Sequence, residues 1–414
     1  MGIFSGDFSP RRRGCPGQPD VAGAQGSHVQ NADFDKVILK MKSHNSLIRR
    51  SSINTKRKLL LITVSGLALA AMGNAAFAAD EIIDGGATVI ISTQPTSDHP
   101  SPWHINEDLV VGDNGSGTLV IKDGGVVDNV QTATISSSGG GIGTVHVIGP
   151  DSAWSVDSWM MIGNTKNGGV LTVENGARVS TKNWITIGHS SGTQGEVNVA
   201  GKNSVLETPE FIVANEGKGT LTISDEGLVN IGSLFIVGDT GSGTLIVKDG
   251  GAVTSQSMII GLDNIGSSIG NGTATITADG TLNSNVLTVG LFGNGTLNIS
   301  DGGSVTSEST VIAEREGSTG TVIVGAGGSL KTDGALTVGG AGNGTLTIQG
   351  GGSLTHAQEA IIGQEAGGSG TVRVTGPGSQ WSEVEAGITG LIIGGGGRGN
   401  LFIENGGVGP RDNR

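Results

Sequence analysis

Residues 241–261 read GSGTLIVKDGGAVTSQSMIIG. A Gly/Ser corner leads into an alternating strand, Thr244-Leu245-Ile246-Val247. The corner Lys248-Asp249-Gly250-Gly251 follows, then a short edge through Val253. A second apolar strand, Met258-Ile259-Ile260, ends on Gly261. Asp and Gly are turn residues for different reasons: Asp tolerates the left-handed region, and Gly enters it with no Cβ penalty. Nearly everything after Asp80 is a variation of this unit.

The Thr of each Gly-Thr-Leu-like start recurs as Thr118, Thr144, Val170, Glu196, Thr220, Thr244, Thr273, Thr296, Thr321, Thr345, Thr371 and Asn400. The spacings are 26, 26, 26, 24, 24, 29, 23, 25, 24, 26 and 29. A period near 25 is itself a repeat architecture. The first strand alternates apolar and polar, as in Leu119/Ile121, Leu221/Ile223 and Leu346/Ile348, which marks a half-buried strand. The second strand recurs as Trp184-Ile185-Thr186-Ile187, Leu234-Phe235-Ile236-Val237 and Leu391-Ile392-Ile393. Steps such as Ser304-Val305-Thr306-Ser307 supply a third edge.

Three edges and three corners in each period predict an all-β fold, a right-handed three-sided parallel β-helix of about 12 coils. Each strand pairs with its counterpart one coil on, so coils rise about 4.8 Å and a dozen make a rod of roughly 55–60 Å. Each coil sends in about five aliphatic side chains, worth on the order of 1.5–3 kcal/mol apiece. An 18-residue coil of six-residue steps is absent. The four strands per roughly 40 residues of a propeller do not fit the spacing.

Composition agrees. Gly accounts for 76 of 414 residues, there is no Tyr, and aromatics are 3%, too little bulk for a layered core. Residues 1–79 carry 11 Lys/Arg against 4 Asp/Glu, a net of +7. Residues 80–414 carry 13 against 33, a net of −20. So acidic a surface argues against nucleic acid as a partner. The single cysteine, Cys15, lies ahead of everything that repeats. Disulfides, Cys-type metal sites and thiol nucleophiles are therefore excluded from the repeats.

The basic residues Arg49, Arg50, Lys56, Arg57 and Lys58 precede an apolar run from Leu59 to Met72. Ala76-Phe77-Ala78 then offers small residues where a signal peptidase reads. Residues 41–78 are predicted to be a secretory leader cleaved near Ala79. The apolar run is roughly 14 residues, short of the about 20 needed to span a bilayer. Residues 1–40, with Arg11, Arg12 and Arg13, read as disordered. Alternatively, Met41 is the true start or 1–40 extend the leader.

Residues 79–112 are expected to form an irregular opening coil, and 113–408 the regular repeats. A Pro-rich excursion with Pro95, His99, Pro100, Pro102, Trp103 and His104 reads as a cap on the exposed edge. Two coils replace Asp-Gly-Gly by Gly149-Pro150-Asp151-Ser152-Ala153-Trp154 and Gly376-Pro377-Gly378-Ser379-Gln380-Trp381. Their Trp falls one position later than Val127, Val253 or Val305. A one-residue slip reverses the facing, so an inward Trp demands a different turn. The Trp is expected to fill the core; the alternative is a ligand platform.

The unit GxGTLxIxDGGxVTS…xIxVG, with its Gly-Pro-x-Ser-x-Trp variant, resembles the type V secretion and PEP-CTERM-associated repeat over about residues 112–406. With the leader, the chain is similar to the passenger domain of a bacterial autotransporter. The resemblance implies export, crossing of the outer membrane through a C-terminal β-barrel, and surface display, often as an adhesin. A host-surface protein or glycan would then be the partner. The strands of about 10 residues with aromatic girdles that mark such a barrel are not found. The last coil starts at Asn400-Leu401-Phe402-Ile403 and stops within the tail 409–414. The expectation is a truncated passenger. It would stay in the periplasm, or reach the cell surface or medium if a separate translocator serves it.

Asp225, Asp249 and Asp301 occupy equivalent corners, with Asp279 offset by one. Stacked carboxylates about 5 Å apart could recruit Ca²⁺, but the calcium nonapeptide is missing and Asp before Gly is ordinary turn chemistry. His146, His189 and His356 are single and are expected to face solvent. Glycine-rich stretches such as 394–399 lack the Lys-Ser/Thr of a phosphate loop. No catalytic, cofactor or metal residues are assigned, and the chain is expected not to be an enzyme. The alternative is a β-helical polysaccharide lyase or glycosidase, which would need a carboxylate pair lining a groove.

Overall fold

A computed structural model describes residues 80–263, 270–384 and 390–410. The expected disordered start and leader, residues 1–78, lie outside the described residues, as do 411–414 of the tail. The fold is a parallel β-solenoid, and every regular element among the described residues is a strand. Thirteen strands, from Ala87–Ile91 to Arg398–Glu404, form one sheet in sequence order. The Thr column read from the sequence is the register of this sheet: Thr118 pairs with Thr144, Thr244 with Thr273, and Thr371 with Asn400. The expected dozen coils become thirteen because Thr88 pairs with Thr118 and extends the ladder to the opening coil.

This Thr edge alternates as its sequence does. Leu221, Ile223, Leu245 and Val247 are wholly buried, while Thr220, Thr222, Thr244 and Ile246 point outward. The Gly before each Thr is explained by backbone proximity. A Cβ on Gly243 would stand 2.3 Å from the Gly238 nitrogen and 2.5 Å from the Val213 carbonyl oxygen.

The corner after the Thr edge comes in two forms. At 248–251, Asp249 and Gly250 both have positive φ, 51° and 73°, and the Gly251 N–H donates to the Lys248 carbonyl at 2.8 Å. Two successive left-handed residues are the type I′ signature. At 149–152, Gly149 (φ 90°) precedes Pro150 and Asp151 (φ 63°), and the Ser152 N–H donates to the Gly149 carbonyl at 3.3 Å. Pro followed by positive φ has type II character. The extra residue is thereby absorbed: Trp154 pairs with Val127 and Val179, and Trp381 with Leu354. Both Trp are core residues at 1% exposure.

The Ser of this variant has a role that the sequence pattern did not reveal. The Oγ of Ser152 and of Ser379 accepts the N–H of Gly124 and of Gly351 in the preceding coil, at 3.1 and 3.0 Å. A third copy, Gly201-Lys202-Asn203-Ser204, makes the same bond to Gly176 at 2.9 Å without Pro or Trp. There Leu206 fills the Trp position, paired with Val179.

The remaining two edges are separate near the ends, as Arg178–Thr181 and Trp184–Ile187, or Ser329–Thr332 and Leu336–Val338. In the middle they run together as single strands, Val205–Val213, Leu228–Val237, Ala252–Ile260, Thr281–Val289 and Ser304–Ile312. The bend between them is managed by buried hydroxyls. Thr208 Oγ1 donates to the Glu210 carbonyl at 3.0 Å and Ser284 Oγ to the Val286 carbonyl at 2.8 Å.

In the opening coil, Trp103 pairs with Val127 and continues the inward column, with His99 stacked on it at 4.1 Å. The excursion folds back on the outer edge of Ala87–Ile91. Asp98 accepts the Ile90 N–H at 2.6 Å and donates its own N–H to the Ile90 carbonyl at 2.8 Å. Asp84 ties this coil to the next by accepting the N–H groups of Asn114 and Gly115 at 3.0 and 2.6 Å. Burial works to raise the Asp84 pKa, but these and neighbouring backbone N–H groups prevail and hold it below the usual range.

Candidate functional site

The acidic corners are turn residues first. Asp225, Asp249 and Asp301 have φ of 53°, 51° and 50°. Ala278 holds the same place at 47°, which is why Asp279 falls one position later. Each carboxylate has a nearby partner: Asp225 the hydroxyl of Ser224 at 2.8 Å, Asp249 the Lys248 ammonium at 2.7 Å, Asp301 the hydroxyls of Ser300 and Thr277 at 3.0 and 3.2 Å. Among the described residues, no three His, Cys, Asp or Glu side chains are grouped to hold a metal.

Two of the three histidines do not face solvent. His146 lies on the outer side of the Thr edge, beside Val120 and Thr172. His356 is 0% exposed, on the inward column of the bend between Thr332 and Glu383. Its Nδ1 bonds the Gln358 carbonyl at 2.8 Å, and its ring lies 5.6 Å from that of Trp381. That column carries Thr181, Thr208, Ser284, Ser307 and Thr332, so a polar side chain there is buried by position. His189 stands in the corner after the apolar edge; burial lowers its pKa, opposed by the charge of Glu216. Spacing alone did not distinguish these positions from surface loops.

The same corner holds the most perturbed acid described. Asp239 is 3% exposed, its Oδ1 has no hydrogen-bond partner, and its pKa is raised to about 7 by burial and by the charges of Glu216 and Asp263. Ion pairs among the described residues lie on exposed or half-exposed side chains, such as Arg178–Glu207 at 2.8 Å and Lys182–Asp157 at 2.6 Å. Pairs of this kind contribute little.

A chemically repetitive surface runs along the outer face of the Thr edge. Thr220, Thr244, Thr273, Thr296, Thr321, Thr345 and Thr371 stack through consecutive coils. Beside them run Thr222, Ile246, Thr275, Asn298, Ile323, Thr347 and Arg373. Hydroxyls repeated about every 4.8 Å can donate and accept along an extended ligand. Neither column contains a carboxylate over these coils.

No family model matches the chain. It is 30% identical over 224 residues, 52% of its length, to the uncharacterized lipoprotein YdeK of Escherichia coli (strain K12). The chain spans only 14% of the length of that relative. Among solved structures, a TibC-catalyzed hyper-glycosylated fragment of TibA matches with a TM-score of 0.44 and 17% identity, over 80% of this chain and 98% of that one. A likeness at that level carries nothing about activity or ligand.

Proposed function

We propose that the chain is a non-catalytic, exported passenger of autotransporter type that works by adhesion from the cell surface. The observation that carries this reading is the Thr ladder on the outer face of the thirteen-stranded sheet. It offers a repeated polar contact surface to a host-surface protein or glycan, with no carboxylate in its two outward columns from Thr220 to Arg373. The leader pattern at 41–78, the acidic and cysteine-free repeats and the resemblance of the repeat unit support export. The name of the E. coli relative, a lipoprotein, agrees with it. A polysaccharide-active enzyme would instead need paired carboxylates on one face.

The test is surface proteolysis of intact producing cells, followed by attachment of host cells to the immobilised protein. Loss of the chain to external protease together with cell attachment is expected. Recovery in the cytosol would overturn the export reading. Cleavage of a polysaccharide by the purified chain would overturn the non-catalytic one.

A further inference from the structure

We propose that the corner at 238–242 is a proton-operated latch, closed while the Asp239 carboxyl is neutral and opened when it ionises. Asp239 directly follows Gly238 at the end of Leu228–Val237. Its Oδ1 is buried without a hydrogen-bond partner. An ionised carboxylate in such a place must be solvated or paired. The charges facing it are both negative: Glu216 from the corner of the preceding coil and Asp263 from that of the following one. His189, one corner beyond Glu216, is itself kept toward neutrality by burial. Residues 264–269, which follow Asp263, bring no titratable side chain.

The bonds that ionisation would strain are the ones that clip this corner to its neighbour. Asp239 N–H donates to the Ala214 carbonyl at 3.0 Å, and Thr240 donates both its N–H and its hydroxyl to the Asn215 carbonyl, each at 2.8 Å. The equivalent residue one coil earlier, Asn215, is permanently neutral and donates its Nδ2 to the His189 carbonyl at 3.0 Å. Burial and the two neighbouring carboxylates raise the Asp239 carboxyl from 3.8 to about 7, so the latch loosens progressively as pH rises from about 4 to 7.

Amide hydrogen exchange on the full chain, corrected for the intrinsic rate at each pH, tests this. Protection of the 239–242 amides should fall about 90-fold between pH 5 and 8, most of it below the midpoint near 7 and little above it. Asp239→Asn should hold the closed value at both. Glu216→Gln, which removes one negative neighbour, should move the fall to lower pH and serves if the first variant folds poorly. Equal protection at both pH values in the natural chain would overturn the proposal. So would an unchanged fall in Asp239→Asn.

Discussion

The corner at 248–251 and the bend at 307–310 turn the chain by opposite means. The corner is made of backbone: two left-handed residues, a closing hydrogen bond, and Gly251 so near the preceding coil that a Cβ would meet the Ile223 carbonyl oxygen at 2.5 Å. The bend is made of side chains. Ser307 Oγ lies 2.6 Å from Thr310 Oγ1, which lies 2.9 Å from Thr332 Oγ1 in the next coil. A backbone corner selects for tolerance of positive φ: Asp, Asn, Gly or Ala in the first left-handed place, Gly, Glu or Asp in the second. A side-chain bend needs only a buried polar group able to reach a carbonyl two residues on, so Thr208, Ser284 and His356 all serve.

The largest way to break the contrast is at the Pro-containing corner, where a backbone turn carries a core side chain. Trp154→Ala should cost about 3–5 kcal/mol, read as a lowered denaturant midpoint. A loss below about 1 kcal/mol would mean that the turn does not depend on the ring. Asp239 mixes the two kinds of corner. Its pKa is raised on folding from 3.8 to about 7, so the contribution of its neutral form is complete below pH 4 and disappears as pH rises to 7. The ceiling is about 4 kcal/mol, at 1.36 kcal/mol per unit. Asp239→Asn should therefore be more stable than the natural chain at pH 8 and equal to it near pH 4, in paired thermal melts. A constant difference at both pH values would assign the effect to packing.

Gly251→Ala should cost about 3 kcal/mol, the upper end of ordinary overpacking, because backbone rather than a flexible side chain stands in the way. Ser284→Ala should cost about 1 kcal/mol, since it removes the bonds to the Val286 carbonyl and the Ser255 hydroxyl. Urea titration of the two variants side by side checks the ranking. A serine loss equal to the glycine loss would erase the distinction between the two ways of turning.

The contrast also explains what could be read from the residues alone. Gly243-Thr244-Leu245 and its equivalents gave the register of every coil from Thr118 to Asn400, because close backbone approach and two-residue alternation leave few choices. The fusion of Val205–Val213 and its successors into single strands was not legible, since a hydroxyl that spans a bend looks like any Ser or Thr of a strand. His356 was misplaced for the same reason. The facing of Trp154 stayed conditional until the Pro turn was seen to absorb one residue. Of the candidate surface, the Thr column was visible in the sequence. The isolation of Asp239 was not, because it depends on which carboxylates the coils stack around it.

The fixed register between coils has a kinetic consequence. Each strand of the Thr sheet finds its partner one period away, 23 to 30 residues along the chain, wherever in the solenoid it lies. The entropy of closing one coil is therefore nearly the same for all of them. Once a first pair of coils has formed, each later one can dock on a finished template. Such a chain can acquire structure in the order in which it is delivered, and its folding rate need not fall as coils are added.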